Sequence, residues 1–555
     1  MSEFSKFAIV CDSIKATRSK LEKITILSEY FSSLRDQDLK IAATFLSGRV
    51  FSPGEVEQEA NVGYSTLWSV ISKITELDGK EISKYYLKHG DLGSVFEEIL
   101  SGKTSFGQQI LGASFREPLS LERVHASFLE LARAVGRNSQ DRKKQILLGL
   151  FSGVELPSEG KYIVKILTNE MRIGLVEGLV EESIAKAFSK TLAEVRMANL
   201  IAANAGYVAI KARNNELDRV KLAPSKPTNF MLADNAETAE LVFKKFLTMP
   251  VYSEFKYDGI RAQMHLAQGA IKLFSRNLSD VTRFFPELVE DSAHLNQKNL
   301  ILDGEIIASS GDDPLSFQLL QRRLRKIARS SDDVPIKYIV FDVLFSKDSS
   351  LIEKPLSERV KILKELELRG RMGLSEQKQV SSPEEIFSMF QSSKSEGFEG
   401  LVVKSPSSPY TPGRRGSNWV KLKKELDTLD VVIVAAEYGH GKRAGVISDY
   451  TFAVKDDGDL KVIGKAYSGL SDAEIAETTK LVKTITMQDQ GYRMTVKPEL
   501  VIEVAFDAIQ KSERHDSGYA LRFPRIKRLR FDKSPKEIDT LERVKKIYES
   551  QSVKA

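Results

Sequence analysis

The sequence predicts a multidomain chain: an all-α part first, an α+β part in the middle and a small β-barrel at the end. Three observations predict this. The chain has 555 residues, and single hydrophobic cores rarely grow beyond roughly 250–300 residues. Apolar residues recur at helical spacing up to about residue 215. After a Pro-containing linker at 221–230, strand-like runs take over, and past residue 430 they become short and gather around one helical stretch.

Taken in order, residues 4–16, 24–34, 37–46, 66–74, 119–135, 139–153 and 180–188 carry the helical pattern. Lys and Arg total 28 and Asp and Glu 26 over residues 1–215, so any anionic partner there needs the positive charge clustered on one face. The middle part mixes strand runs at 251–256, 260–266, 271–277, 300–307 and 338–345 with helix-like stretches at 315–328 and 356–368. Tyr257-Asp258-Gly259 between the first two runs predicts a hairpin, because Asp and Gly tolerate positive φ. The final part has short strands at 431–439, 450–455, 460–467 and 500–506 around a helix at 472–487. That pattern suits a Greek-key barrel. The expected boundaries are 1–215, 216–428 and 429–555.

An apolar content of 42% supports ordinary cores, and a formal charge of +6 is compatible with nucleic acid without proving it. The charge is uneven: from Lys511 to Lys533 there are eight Lys or Arg against three Asp or Glu. This is the clearest candidate for a phosphate-contacting patch. Cys11 is the only cysteine, which excludes a disulfide within the chain and a four-cysteine zinc site. No apolar run has bilayer-spanning length, and the first residues lack a signal-like core. The expectation is a soluble cytoplasmic chain with no membrane partner.

Chemistry concentrates in the middle part. Glu254 and Lys256 share a strand face, as do Arg261, Gln263 and His265 on the next run, which suits a phosphate and base site. A free lysine has a pKa of about 10.4 and must lose a proton before it attacks phosphorus. Arg261, Lys421, Lys423 and a metal are candidate sources of a field that helps it do so. Arg276 ends a strand and suits a ribose or a phosphate. Asp303 and Glu305 interrupt an apolar strand, where charges are rarely buried without a partner. Glu305 could accept from a ribose hydroxyl or hold a divalent metal, or form a structural salt bridge. Phe341, on a run apolar on both faces, either stacks on a purine or packs in the core. Glu399 suits Mg²⁺. Trp419, Lys421 and Lys423 share one strand face, with Val420 and Leu422 on the other; two lysines aimed the same way suit a triphosphate, or a solvated basic edge strand.

The ordered set, Lys-x-Asp-Gly-x-Arg, Ser-Arg-Asn, Asp-Gly-Glu, Phe-Asp, Glu-Gly-Leu-Val-Val-Lys and Lys-Leu-Lys, resembles the covalent nucleotidyltransferases. The run from Arg522 to Lys533 resembles the last motif of their DNA-ligase branch, and the likeness to archaeal and eukaryotic-type ATP-dependent DNA ligases covers nearly the whole chain. That resemblance implies an all-α DNA-binding domain, a nucleotidyltransferase (adenylation) domain and an OB fold. It implies ATP and Mg²⁺ (or Mn²⁺) as cofactors, nicked double-stranded DNA as substrate, a monomer, and a nucleoid setting with roles in replication, repair and recombination. Lys256 is then the nucleophile. Glu254 contacts adenine and Phe341 stacks on it, Glu305 holds ribose or metal, and Arg261 and Arg276 hold ribose and phosphates. Arg415 and Lys421 reach the phosphates with Lys423 close by. Asp258 supports the site, and Glu399 joins Glu305 as a metal residue. Arg522, Arg525, Arg530, Asp532 and Lys533 assist the first step. A sliding-clamp peptide is expected at 108–115, with Gln108, Leu111 and Phe115 in place but Ser114 where an aromatic is expected. The linker reads Lys226-Pro227-Thr228-Asn229-Phe230-Met231 where a tighter Lys-Pro-Met is expected.

Overall fold

The computed structural model describes residues 3–56, 59–102, 118–246, 248–295, 297–311, 313–315, 317, 319–320, 323, 334–413, 415–423, 428–439, 443, 445–491 and 493–552. The clamp peptide expected at 108–115 lies outside these residues, as does most of the helix expected at 315–328. By compactness the chain divides into two units: Met1–Glu76 with Phe96–Lys424, and Leu77–Val95 with Glu425–Ala555. No helix among the described residues is long and apolar enough to cross a membrane.

The larger unit begins with helices. Glu3–Ala16, Lys20–Ser33, Asp36–Leu46, Tyr64–Thr75, Leu121–Arg133, Ser139–Phe151 and Glu177–Ala187 fall within a few residues of the expected ones. In the first of these Phe4, Phe7, Ala8, Cys11 and Ile14 are buried, the stripe that one side of a helix presents. Phe7 stacks 5.4 Å from Phe4 and meets Phe45 and Tyr162 edge-on at 6.2 and 6.5 Å, so one stripe ties three helices together. Pro157–Leu167, which was not among the expected helices, is buried along most of its length. Its charges are neutralised inside the bundle: Lys161 meets Asp12 at 2.5 Å and Glu97 at 2.8 Å.

Two antiparallel-rich sheets follow. Their strands are β1 (Leu232–Ala236), β2 (Val251–Phe255), β3 (Ile260–Ala267), β4 (Ala270–Ser275), β5 (Asn299–Ser310), β6 (Asp313–Pro314), β7 (Ile336–Ser346), β8 (Ser349–Ser350), β9 (Met372–Leu374), β10 (Gln377–Val380), β11 (Gly400–Lys404) and β12 (Arg415–Lys423). One sheet runs β1-β12-β11-β2-β10, the other β4-β3-β5-β7-β8, with β6 on β5 and β9 on β7. β7 is interior, as its apolar faces predict. β12 is interior too, so the basic-edge reading of Lys421 and Lys423 falls away. Val420 and Leu422 enter the core with Phe255, Leu401 and Phe390, while Trp419 packs in a separate cluster with Tyr410, Leu344 and Met231.

The expected hairpin through Asp258-Gly259 does not form. β2 pairs with β10 and β11, whereas β3 pairs with β4 and β5 in the other sheet. Neither Asp258 nor Gly259 has a positive φ. The chain here steps from one sheet to the next. The shared polar face of Arg261, Gln263 and His265 is likewise divided. Gln263 and His265 are fully buried. Gln263 pairs with the backbone of Thr228 through both amide atoms, and His265 Nε2 sits 3.1 Å from Gln263 Oε1. Burial lowers the imidazole to about 3, so the ring stays neutral. These two residues dock the linker and leave Arg261 alone at the site.

The smaller unit carries β13 (Thr428–Tyr438), β14 (Ile447–Asp456), β15 (Asp459–Ala466), β16 (Thr486–Asp489), β17 (Arg493–Val496), β18 (Val501–Ala505), β19 (Ala508–Lys511), β20 (Tyr519–Arg522) and β21 (Arg525–Leu529). β13 pairs with β18 along its first half and with β17 along its second. Among the described residues the path β15-β14-β13-β17-β16 stays open, with β18 branching from β13 and β21 pairing with β18. Past residue 428, among the described residues, the helices Asp472–Thr484 and Leu541–Ser552 accompany the strands where one helix was expected, and Gly79–His89 also belongs to this unit.

Candidate active site

β2 ends by delivering Glu254 and then Lys256. The backbone around the lysine is clamped on both sides: its N–H donates to Gly400 O at 2.8 Å, and its carbonyl accepts from Glu399 N–H at 3.0 Å. Two glycines permit this crossing. A Cβ on Gly259 would lie 2.9 Å from both Glu305 Cγ and Ile307 Cγ2. Gly400 has φ +141°, and a Cβ there would run into the backbone carbonyl of Leu422.

Between the two sheets lies a cleft of about 380 Å³. Seven of the expected site residues line it: Glu254, Lys256, Arg261, Arg276, Glu305, Phe341 and Lys421. Three more gather at the lysine. Lys256 Nζ is ion-paired with Glu399, Lys423 Nζ lies 3.4 Å from the same carboxylate, and Asp258 sits beside it. Lys256 was expected among cations; its nearest partner is instead a carboxylate. Burial pushes the Glu399 carboxyl up, but Lys256 and Lys423 outweigh it and hold it below the usual range. Arg415 opens β12 opposite Leu232, and its side chain lies outside the described residues.

Glu254 is 2% exposed and fully engaged. Lys404 Nζ bonds both its oxygens at 2.8 and 2.7 Å, Gln377 Nε2 donates at 2.5 Å and Ser375 Oγ at 3.2 Å. Lys404 also lies 4.5 Å from the Phe341 ring and 4.4 Å from Trp419. Phe341 is half-buried and meets Trp419 edge-on at 6.1 Å, so one side of the ring packs and the rest faces the cleft. Trp419 Nε1 is a buried donor with no acceptor among the described residues. Arg261 is bidentate to Asp303, at 3.0 and 2.7 Å, and donates to Met231 O at 2.8 Å. Burial works against its charge, but Asp303 and Tyr410 more than offset it. Glu305 differs from all of these. No hydrogen bond or ion pair holds it among the described residues, and burial pushes its carboxyl up to about 8 against the pull of Lys256 and Arg261.

Sequence reasoning missed Lys404, Asp303, Tyr410 and Trp419 as parts of the site. Lys404 closes the Glu-Gly-Leu-Val-Val-Lys run and was readable as a charge on an apolar strand, the same signal that marked Glu305. Tyr410 Oη bonds Asp303 at 2.8 Å across 107 residues, a pairing with no local signature. The unusual linker also has a place: Thr228 docks on Gln263, Asn229 bonds Asn199 O at 3.3 Å, and Phe230 lies 4.9 Å from the Arg261 guanidinium.

Residues 3–185 match the family description "DNA ligase N terminus", residues 230–423 "ATP dependent DNA ligase domain" and residues 443–533 "ATP dependent DNA ligase C terminal region". This chain belongs to the ATP-dependent DNA ligase family. It is 40% identical to a probable DNA ligase of Koribacter versatilis, over 98% of this chain and 96% of that one. It is 37% identical to the DNA ligase of Methanothrix thermoacetophila, over 99% of each. Among solved structures, Pmar-Lig_PreS3 covers 94% of this chain and 99% of its own with a TM-score of 0.58 at 17% identity, a likeness of fold.

Proposed function

We infer that this chain joins a 5′-phosphate to a 3′-hydroxyl at nicks in duplex DNA, with ATP as the activating nucleotide. The observation that carries the reading is Lys256, clamped at the end of β2 and facing a cleft between two sheets, in a chain of the ATP-dependent DNA ligase family. The nitrogen of Lys256 attacks the α-phosphorus of ATP. A nitrogen–phosphorus bond forms, the α,β-anhydride bond breaks, pyrophosphate leaves and the nitrogen gives up its proton. The AMP then passes to the 5′-phosphate of the nick, and the 3′-hydroxyl displaces AMP. The pair between Lys256 and Glu399 has to open before the nitrogen can reach phosphorus.

Phe341 and Trp419 form the apolar wall for the adenine. Glu254, locked by Lys404, Gln377 and Ser375, fixes its edge. Arg276 and Lys421 hold phosphates or ribose with Arg415, and Lys423 supports them. Arg261 acts from its clamp on Asp303. The carboxylates fit a divalent cation: Glu305 has unclaimed oxygens, and such a metal usually takes one or two carboxylates plus substrate phosphates. Glu305 and Glu399 would hold it, and it would neutralise charge on the phosphoryl oxygens. We assign residues 1–215 to DNA binding, 216–428 to adenylation and 429–555 to an OB fold. In the last of these Arg522 and Arg525 are exposed or half-exposed, whereas Arg530 bonds Asp430 at 2.8 Å and Asp532 at 2.7–2.8 Å, and Lys533 bonds Asp430 at 2.6 Å. This set assists the first step.

Incubation with α-labelled ATP and Mg²⁺, followed by denaturing electrophoresis with GTP and NAD in parallel, tests the reading. A covalent band from ATP, discharged by nicked DNA and absent in Lys256→Ala, is expected. Adduct retained in Lys256→Ala would remove the nucleophile assignment, and a band from GTP alone would replace the ligase reading with a capping activity.

A further inference from the structure

A second cavity, about 680 Å³, opens in the larger unit. Its walls are residues 47–56 and 59–62 after Asp36–Leu46, the end of Pro157–Leu167, and the turn leaving β4. The two sides touch: Ser279 Oγ lies 3.5 Å from Glu59 Oε1. Arg276 and Asn277 line both this cavity and the nucleotide cleft, so the two open on either side of one turn.

Arg49 stands in this cavity half-buried. Its guanidinium donates no hydrogen bond and has no carboxylate within 4 Å among the described residues. Five donors held partly away from water without an acceptor are costly, and a ligand oxygen would relieve that cost. Arg276 is exposed and also has no bonded partner among the described residues. Glu59 and Glu177 line the same cavity, so a free inorganic anion would meet two carboxylates. A nucleic-acid strand meets both signs, because it offers phosphodiester oxygens to arginine and base amino groups to carboxylates.

We propose that this second cavity binds one phosphodiester of the strand flanking the nick, with Arg49 as the cation that receives it. The proposal rests on the ligase reading and extends the substrate path past Arg276 and Asn277, away from Lys256.

The test uses the full chain and Arg49→Gln, first for adduct formation with α-labelled ATP in the absence of DNA, then for binding of a nicked duplex across a salt series. Adduct formation at the wild-type rate is expected, with duplex affinity down about tenfold and the log–log salt slope shallower by about 0.9, the loss of one phosphate contact. A single uncharged methylphosphonate near the nick should weaken wild type and leave Arg49→Gln unaffected at that position. Arg49→Lys keeps the charge and should keep the slope, which guards against a variant that merely unfolds. Unchanged affinity and slope in Arg49→Gln would overturn the assignment. Slower adduct formation without DNA would overturn it too, by placing pyrophosphate in the cavity. Failure of wild type to form any adduct would instead remove the ligase reading itself.

Discussion

Glu305 is a cleft carboxylate that no donor among the described residues holds, and its proton affinity makes the site sensitive to pH near neutrality. The fold favours its protonated form, up to about 8, against an ordinary value of about 4.3. That contribution to stability is therefore complete below about pH 4.3 and is lost as pH rises through about 8. Binding that needs the carboxylate runs the other way. ATP with Mg²⁺ should bind more tightly as pH rises from about 6 to about 8.5, and Glu305→Gln should flatten this trend. Titration calorimetry at several pH values checks it; parallel trends in both proteins would move the ionising group elsewhere. Phe341→Ala should weaken ATP binding more than it weakens joining of pre-adenylated DNA, because its free face meets the cleft while its edge packs on Trp419. Equal losses would make Phe341 a core residue.

At the scale of elements, β7 and the helix Leu356–Lys364 are locked by one buried ion pair. Arg359 and Asp342 are both fully buried, bidentate at 2.8 and 2.9 Å, and Arg359 also donates to the carbonyls of Lys354 and Ser408. Arg359→Ala leaves Asp342 buried without its partner and should cost about 3–5 kcal/mol. Denaturant unfolding measures this directly; a loss below about 1 kcal/mol would show a pair behaving as if exposed to water. Asp342, next to Phe341 on the same strand, turns its side chain to this helix and does not line the cleft. The Asp258-Gly259 step was misread because turn chemistry reports local backbone freedom, whereas partner choice between two sheets is decided by long-range packing.

For the whole molecule, two compact units with separate cores make a single two-state transition an unsafe expectation. The smaller unit has its own apolar cluster around Ile433, Phe452, Ile502 and Val504. Scanning calorimetry should resolve more than one transition, and Ile502→Ala, at a fully buried position, should lower one of them by a loss of about 2–5 kcal/mol and leave the other in place. A single transition that shifts as a whole would show the units unfolding as one. Much of the fold was legible at this scale: seven helices before residue 190 and the strands β2, β3, β4, β5 and β7 stand where periodicity predicts, because a one-sided apolar stripe has period 3.6 or 2 whatever the surroundings. Among the described residues, the helices Pro157–Leu167, Leu192–Ala202, Ala205–Arg213 and Pro383–Ser395 and the strands β1, β10 and β17 were not expected.

The sequence by itself marked residues that line the cleft. Lys256, Glu305, Phe341 and Lys421 were readable because a charge or an aromatic at a set spacing on an apolar strand is a local signal, and the structure brings all four to one cleft. Only the tertiary structure decided how that chemistry is held. Lys404 under Glu254, Tyr410 and Asp303 under Arg261, Glu399 against Lys256, and Arg49 and Arg276 lining one cavity are meetings of residues far apart in the chain. Side-chain type and spacing are properties of a segment; which segments touch is set by packing two sheets and a helical bundle into one unit.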